Sequence, residues 1–258
     1  MWVIPNIEHF ALADSMPAGS GHIPDVVQWA IRDYGARVGI WRLAEVLDRF
    51  EIRATVALNS DVCDAYPRII EQGLARRWEF MGHGQTNTRR LIAMTAEEEA
   101  EVVHRSLQRI ERAVGRRPDG WLSPGLQETW QTLDLLAGAG LTYVADWVND
   151  DQPYFMEVGE RRLISVPYSQ ELNDKRFEDR GINAAQFEEM IRRQFDVLYE
   201  ESEHSARVMA IALHPYIIGV PHRIRALEAA LAYVHGHPGI WWATGAEIAR
   251  GYREAVGQ

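Results

Sequence analysis

Cysteine is almost missing from this sequence: Cys63 is the only one in 258 residues. A lone cysteine cannot form an internal disulfide, and its scarcity is typical of proteins from a reducing compartment. No apolar stretch approaches the roughly 20 residues that a membrane-spanning helix needs. The segment 1–5 has neither the basic residues nor the long apolar run of a secretion signal. We therefore expect a cytoplasmic protein with no membrane partner.

Positive charge is also scarce. The chain has 27 Lys and Arg against 37 Asp and Glu, which gives a formal net charge of −10 at pH 7. Nucleic acids and anionic membranes are bound through clustered Lys and Arg, so neither is an expected partner. With 47% hydrophobic and 25% charged residues, the composition is that of an ordinary globular protein. Because no linker interrupts the chain, we predict one domain over residues 1–258.

Short apolar runs alternate with helical patterns along the chain. The runs that predict buried strands are Trp2–Ile7, Thr55–Leu58 and residues 79–81, 121–122, 143–145, 208–213 and 240–243. Residues 162–166 predict a further strand in an insertion. Capping boxes begin two of the intervening helices, at Thr95 with Glu98 and at Thr244 with Glu247. This alternation predicts an α/β fold with a parallel sheet, either barrel-like or doubly wound.

Polar side chains follow nearly every predicted strand. The strand ends lead into Glu8 and His9, Asn59, His83, Pro124, Asp146 with Asp150 and Asp151, and His214. In a parallel barrel these ends all lie on one face, where such proteins keep their catalytic groups. A single histidine after a strand, such as His214, is more often structural than functional. Two imidazoles and several carboxylates on one rim, however, favour a functional site.

His83 and Asn87 lie four residues apart, a spacing at which two ligands on a helical turn can hold one metal ion. Glu8 offers a carboxylate as a further ligand. An amide oxygen, however, binds zinc-like metals more weakly than imidazole or carboxylate does. The residues therefore leave two interpretations open: a divalent metal held by Glu8, His83 and Asn87, or a hydrogen-bonded polar pocket.

Several segments, taken in their order and spacing, resemble the polysaccharide deacetylase superfamily (carbohydrate esterase family 4): residues 6–8, 34–42, 54–59, 83–87, 120–125, 147–151 and 213–215. Within it, the chain looks most like the branch of allantoinase-like, cyclic-imide-hydrolase-like and peptidoglycan-deacetylase-like proteins. The resemblance extends over essentially the whole chain. It implies a single-domain, distorted (β/α)7 barrel of parallel strands and a homo-oligomer.

The resemblance also implies roles for individual residues. The family's first motif carries acids that serve as base and metal ligand, and this chain has Asn6 and Glu8 there. The second motif usually has His followed by His or Asp four residues later, and here the pair is His83 and Asn87. His214 matches the late catalytic histidine of the family. The implied cofactor is a divalent metal, zinc first, although some allantoinase-like relatives lack the full ligand set.

We expect a hydrolase that cleaves a non-peptide carbon–nitrogen bond in a small linear or cyclic amide. Glu8 is expected to activate water, directly or on a metal, and His214 to protonate the departing nitrogen. Asp150 or Asp151, in the family's Asp-rich motif, is expected to orient His214 or to contact substrate. Further candidates for substrate contacts are Asn6, His9, Asn59, Trp121, Pro124 and Trp147.

Two alternatives remain open. The superfamily also contains N-deacetylases, so an acetylated sugar or peptidoglycan fragment is a second substrate class. Asn6 and Asn87 stand where the family has acids or histidine, and this permits a third interpretation. In that interpretation the chain is a binding protein on a fold that has lost catalysis.

Overall fold

Eight strands form one curved sheet in this computed structural model, which describes residues 1–16 and 19–257. Pro17, Ala18 and Gln258, which the predicted domain 1–258 includes, lie outside the described residues. The strands are β1 (Trp2–Ile7), β2 (Thr55–Leu58), β3 (Glu79–Gly82), β4 (Gly120–Trp121), β5 (Tyr143–Val144), β6 (Tyr154–Val158), β7 (Arg161–Ser165) and β8 (Ala210–Leu213). Their order is β6-β7-β5-β4-β3-β2-β1-β8. Only β6 and β7 are antiparallel neighbours within this sheet.

The chain that follows β7 also contacts β8, the strand at the other edge of the sheet. Asn173, in the chain that follows β7, pairs in parallel with Ala212 of β8. The Ala212 N–H donates to Leu172 O at 2.9 Å, and the Asp174 N–H donates to Ala212 O at 3.1 Å. This contact gives the edge strand β8 a partner on its outer side, and the predicted α/β fold, a distorted (β/α)7 barrel, is confirmed.

The α-helices of the described chain follow the strands, and the last two, α9 and α10, come after β8. They are α1 (Val26–Tyr34), α2 (Ile40–Arg49), α3 (Val62–Ala65), α4 (Pro67–Ala75), α5 (Ala96–Val114), α6 (Thr132–Gly138), α7 (Arg176–Asp179), α8 (Ala184–Glu201), α9 (Pro221–His235) and α10 (Gly245–Ala255). Both predicted capping boxes are present, at the starts of α5 and α10. In the part of the chain that the structure describes, no helix has the length and apolarity needed to cross a membrane.

Burial on both faces of the sheet fixes the register of β1. All six of its residues are buried. Val3 and Ile7 pack in a cluster with residues of α2, α8 and α9. Trp2 and Ile4 pack in a second cluster, formed mainly by strand residues and α10. A shift of one residue would exchange the two faces, so the polar residues at the end of β1 are held in one place.

Two strand predictions differ from the structure. The antiparallel strand β6 was not predicted, since its segment lies in the irregular insertion between β5 and β7. Residues 240–243 form no strand, so that prediction is wrong. They reach β1 only through Met1, whose amino group donates to Trp241 O at 2.8 Å and whose carbonyl accepts from the Ala243 N–H at 3.0 Å. Met1 precedes β1, which begins at Trp2, so residues 240–243 bond to the residue before the strand and do not pair along the strand itself.

A break between α1 and α2 supports the chain that follows β8. Gly35–Gly39 form one π-helical turn, which packs against residues 215–219. A side chain on Gly39 would collide with Pro215 O, and one on Gly35 would lie 2.5 Å from Tyr216 N. Glycine at both positions therefore lets two backbones touch directly behind residue 214.

Gly39→Ala is expected to lower the free energy of unfolding by about 1–3 kcal/mol, because the added methyl group overpacks the contact with Pro215. Urea unfolding followed by circular dichroism measures the change. Gly251→Ala is the control: Gly251 lies within α10, and its added Cβ would meet only the exposed ring of Trp241, at 3.2 Å. Alanine there should be neutral or slightly stabilising. Equal losses in both variants would contradict the importance of the contact.

Candidate active site

Glu8 lies at the centre of a cluster at the carboxyl ends of the strands. It follows β1, while His83 follows β3 and His214 follows β8. Glu8 Oε1 is 3.6 Å from His83 Nε2 and 3.8 Å from His214 Nε2. All three side chains are at most 7% exposed. The structure thus brings together the carboxylate and the two imidazoles that the strand ends suggested.

Both histidines turn Nε2 toward Glu8 because their other ring nitrogen is held elsewhere. His83 Nδ1 is 2.6 Å from Leu122 O, and since a carbonyl oxygen only accepts, Nδ1 carries the proton. His214 Nδ1 is 2.7 Å from Asp174 Oδ1. The second oxygen of Asp174 accepts the backbone N–H of His214 at 2.7 Å. Asp174 therefore fixes both the position and the ring orientation of His214.

The charges in this cluster stabilise one another. Burial by itself would raise the pKa of Glu8, but the nearby His214 and the hydrogen bond with His83 hold that pKa below its ordinary value. Burial would lower the pKa of His214, but the carboxylates of Asp174 and Glu8 outweigh it and raise that pKa. The opposite directions favour an ionised Glu8 beside a protonated His214.

Asn87 is a further neighbour of Glu8 and contacts the same carboxylate oxygen, Oε1, as the two imidazoles. Its Nδ2 donates to Glu8 Oε1, and its backbone N–H donates to His9 O at 3.1 Å. Glu8 Oε2 and Asn87 Oδ1 are buried acceptors with no hydrogen-bond partner among the described residues. Both residues line a cavity of about 160 Å³. Two unsatisfied acceptors at one small cavity suit a water molecule or a substrate N–H.

The three predicted metal ligands, Glu8, His83 and Asn87, are together but do not fit a metal ion. Asn87 turns its N–H, not its oxygen, toward Glu8. If the amide were turned over, two acceptor oxygens would be in contact. The strong donors are then one carboxylate and one imidazole, fewer than the three protein ligands typical of zinc. Across residues 1–16 and 19–257, no group of three or more His, Cys, Asp or Glu has a metal-binding arrangement.

The structure does not bring Asp150 and Asp151 to this cluster. Asp151 O accepts the Val208 N–H at 2.8 Å, before β8 begins, so it lies near the amino end of that strand. Asp150 lines a separate groove in the same region. The residue that contacts His214 is Asp174, which corrects the sequence assignment. The segment 146–151 leaves β5 toward β6, whereas pairing of residues 172–174 with β8 places Asp174 beside His214.

Among the polar substrate-contact candidates, Asn6 lines the cavity, and its Nδ2 donates to the Tyr168 hydroxyl at 3.1 Å. Asn59 does not line it. This side chain is fully buried, accepts the His9 N–H at 2.9 Å and donates to His83 O. It therefore ties the ends of β1, β2 and β3 together. The His9 ring points toward Asp61, with Nδ1 4.0 Å from a carboxylate oxygen.

The other three candidates also lie outside the cavity lining. Trp121 is fully buried in the core, and its Nε1 donates to Ser123 Oγ at 3.0 Å. Pro124 is buried against Gly84. Trp147 is 41% exposed and donates from Nε1 to Glu128 Oε1 at 3.2 Å. The aromatic and proline residues of this region therefore shape the loops around the site.

The sequence reasoning missed most of the cavity wall. Besides Asn6, Glu8, His83, Asn87 and His214, the lining includes Phe10, Arg32, Arg90, Gly125, Leu126, Tyr168, Asn173, Lys175, Arg176 and Tyr216. Most of these residues lie in loops or turns, while Arg32 lies in α1 and Arg176 in α7. Their positions depend on how the loops cross the barrel mouth, which no periodic pattern reveals. A departure from helical or strand spacing was the one signal they carried.

A second pair of acids lies next to the site. Asp146 follows β5 and accepts the Ser123 N–H at 2.7 Å. Burial and the neighbouring Asp146 carboxylate raise the pKa of Glu128 to about 9. Two carboxylates in contact cannot both ionise without a large cost, so the pair holds one proton near neutral pH. That proton serves the hydrogen bond between Glu128 and Asp146.

Comparisons with known proteins agree with this geometry. Residues 28–144 match the family model described as "Polysaccharide deacetylase". A peptidoglycan deacetylase from Helicobacter pylori is 24% identical over 249 residues, 84% of each chain. The crystal structure of a probable polysaccharide deacetylase from Pseudomonas aeruginosa PAO1 superposes with a TM-score of 0.89 at 27% identity, covering 98% of this chain and 90% of that one. PuuE allantoinase superposes with a TM-score of 0.90 at 25% identity, covering 98% and 89%.

These comparisons indicate a hydrolase that acts on carbon–nitrogen bonds other than peptide bonds, and the barrel with its buried acid–imidazole cluster suits that class. The resemblance to the polysaccharide deacetylase superfamily is confirmed: the chain is similar to proteins named as deacetylases and to an allantoinase.

Glu128→Gln is expected to flatten the pH dependence of stability between about pH 5 and 9. The pKa of Glu128 is raised in the folded state to about 9, so in this window the folded protein keeps a proton that the unfolded chain releases. Stability therefore falls as pH rises, and glutamine, which cannot titrate but still donates to Asp146, removes that contribution. Urea midpoints at several pH values measure the slope. Glu97→Gln, at an exposed position in α5, is the control. Parallel slopes for wild type and Glu128→Gln would contradict the shared proton.

Proposed function

We propose that the protein hydrolyses a carbon–nitrogen bond in a small linear or cyclic amide, with Glu8 as general base and His214 as general acid. One observation carries the proposal: the buried row Asp174, His214, Glu8 and His83, which borders a cavity of about 160 Å³. Each member of the row is held by a neighbour, so the reacting groups are positioned before substrate arrives.

The pKa directions of the two central groups suit these roles. The pKa of Glu8 is held below its ordinary value, so the base is ionised at neutral pH. The pKa of His214 is raised, so the acid keeps its proton there. Environments that separate two pKa values in this way are typical of acid–base pairs, in which each member contributes roughly 10²–10⁴-fold to the rate.

In the proposed reaction, Glu8 accepts a proton from water while the water oxygen attacks the carbonyl carbon. His214 then donates its Nε2 proton to the nitrogen as the carbon–nitrogen bond breaks. The proton on Glu8 returns to His214 or to solvent, and an acid and an amine leave. The Asn173 amide, on the cavity wall, gives one N–H to the Tyr168 hydroxyl and keeps a second as a donor for the carbonyl oxygen as it becomes negative.

The size of the cavity favours a small substrate. At about 160 Å³ it is smaller than the roughly 300–1,000 Å³ of pockets for drug-sized ligands. A single cyclic ureide, imide or short amide suits such a volume better than an extended sugar chain does. The superposition on an allantoinase supports the same class.

A deacetylase of acetylated sugars or peptidoglycan fragments is the second candidate. The match to a peptidoglycan deacetylase and to the polysaccharide deacetylase family supports it. The same base and acid would remove an acetyl group from an amide nitrogen. A panel of cyclic ureides, cyclic imides, linear amides and acetylated glucosamine oligomers separates the candidates. Turnover of the oligomers alone would favour the second, and saturable binding without turnover would favour a binding protein.

Asp174→Asn is expected to lower turnover on the preferred substrate of that panel by roughly a hundredfold or more. The amide would set an N–H against either the ring or the backbone of His214, so the ring would lose its orientation. Asp150→Asn is the matched control and should stay within about threefold of wild type, because Asp150 lies in a separate groove. Thermal melting checks that both variants fold. Full activity in a folded Asp174→Asn variant would refute the assigned role.

We further propose that no metal takes part, although zinc was the cofactor first expected from the resemblance. The imidazole of His214 offsets the charge of Glu8, and Asn87 gives that carboxylate an N–H donor. These groups supply the compensation that a cation would otherwise provide. The proposal rests on this donor set, in which Asn87 is the decisive residue.

Asn87→His is expected to create zinc affinity that the wild-type chain lacks, because an imidazole would replace the amide beside Glu8 and His83. Isothermal titration with zinc chloride measures binding without reference to activity. The control is Gln85→His, an exposed position in the same loop, which should bind no more tightly than wild type. Stoichiometric zinc, nickel or manganese in wild-type protein purified without a metal-affinity tag, with activity lost on chelation, would overturn the metal-free mechanism.

A further inference from the structure

The cavity beside Glu8 is bordered by several cations, although the protein as a whole is acidic, with a net charge of −10. Its lining includes Arg32, Arg90, Lys175 and Arg176. Lys175 pairs with Glu178, and Arg176 donates to Gln170 O at 2.8 Å and to its side chain at 2.9 Å. Arg32 donates to Gln28 and lies over the rings of Phe10 and Tyr216. These three cations are therefore held by the protein.

Arg90 differs from the other three. Its Nη1 is buried and has no hydrogen-bond partner among residues 1–16 and 19–257. Across the same residues, no carboxylate forms an ion pair with it. The neighbouring Arg89, by contrast, is exposed and pairs with Glu98 at 2.7 Å. Arg90 as a whole is only partly buried, but its buried Nη1 has an N–H without an acceptor at the cavity, and an anionic group of a ligand would supply one.

The absence of a side chain at Gly125 leaves room for the Arg90 guanidinium. Gly125 has φ +71°, and a side chain there would meet Arg90, with Cζ only 2.9 Å away. The next residue, Leu126, also has a positive φ, of 57°. A leucine in the left-handed region is strained, and strain of this kind is found where surrounding structure imposes it. Both residues line the cavity together with Arg90.

We propose that Arg90 binds a carboxylate of the substrate, so that the preferred substrate is a small amide that carries a carboxylate a few bonds from the scissile carbon–nitrogen bond. This inference rests on the proposed function for the identity of the scissile bond. Arginine suits the task because its planar fork matches the two oxygens of a carboxylate. His83 and Asn87 lie on the same loop as Arg90. The carboxylate end would therefore lie on the β3–β4 side of the cavity and the scissile bond between Glu8 and His214.

The test uses N-acetylglycine and its neutral counterpart N-acetylglycinamide, which differ only in the carboxylate. Binding to the full chain is measured by isothermal titration, so the result does not depend on turnover. Wild type should bind N-acetylglycine at least about tenfold more tightly than N-acetylglycinamide. Arg90→Gln should abolish that preference while leaving the affinity for the neutral compound nearly unchanged. Arg89→Gln, the adjacent exposed arginine, should keep the preference.

Three outcomes would overturn the proposal. They are equal or undetectable binding of the two compounds to wild type, a preference that survives in Arg90→Gln, and an equal loss of affinity for both compounds in that variant. Thermal melting verifies that Arg90→Gln folds. If the preference is present and depends on Arg90 but no amide is turned over, the carboxylate site stands and the proposed function fails. If amides are turned over without the preference, the function stands and the carboxylate site fails.

Discussion

The contact between Asp174 and His214 is the interaction on which the site depends. It exists because the chain after β7 pairs with the edge strand β8 at Asn173 and Ala212. The next residue, Asp174, then accepts both the backbone N–H and the ring of His214. The pairing at Asn173 and the orientation of the proposed acid therefore depend on the same short segment, and a chain that did not pair with β8 there would lose both.

Charge balance around Glu8 follows from that contact. Asp174 favours the imidazolium form of His214, and the imidazolium in turn favours the carboxylate form of Glu8. A buried carboxylate without compensation would take up a proton and could not serve as a base. Asn87 adds an N–H donor to the same carboxylate. Protein groups alone can therefore keep the carboxylate of Glu8 ionised although its side chain is buried.

Much of this arrangement could be predicted from the sequence, and the remainder has a common cause. Strand ends predicted that Glu8, His83 and His214 would meet, because parallel strands place their carboxyl ends on one face. Asp174 and Arg90 lie in loops, where no period constrains position. In sequence, Asp150 and Asp151 are closer to a predicted strand end than Asp174 is. After β5, however, the chain leads away from the Glu8 cluster, so neither residue reaches His214. The apolar run at 240–243 has the composition of a strand but finds no partner strand, which periodicity alone cannot detect.

The loop residues that escaped prediction are also the ones that bear on substrate choice. In the proposed reaction the members of the buried row contact only the reacting atoms, so the row does not by itself distinguish one amide from another. We therefore expect selectivity to come from polar groups at the cavity that are not already bound by other protein groups. Arg32, Lys175 and Arg176 are already bound in this way, since each forms a hydrogen bond or an ion pair with a neighbouring side chain. Arg90 is held against Gly125 with its buried nitrogen unsatisfied, so its favourable interactions depend on what enters the cavity.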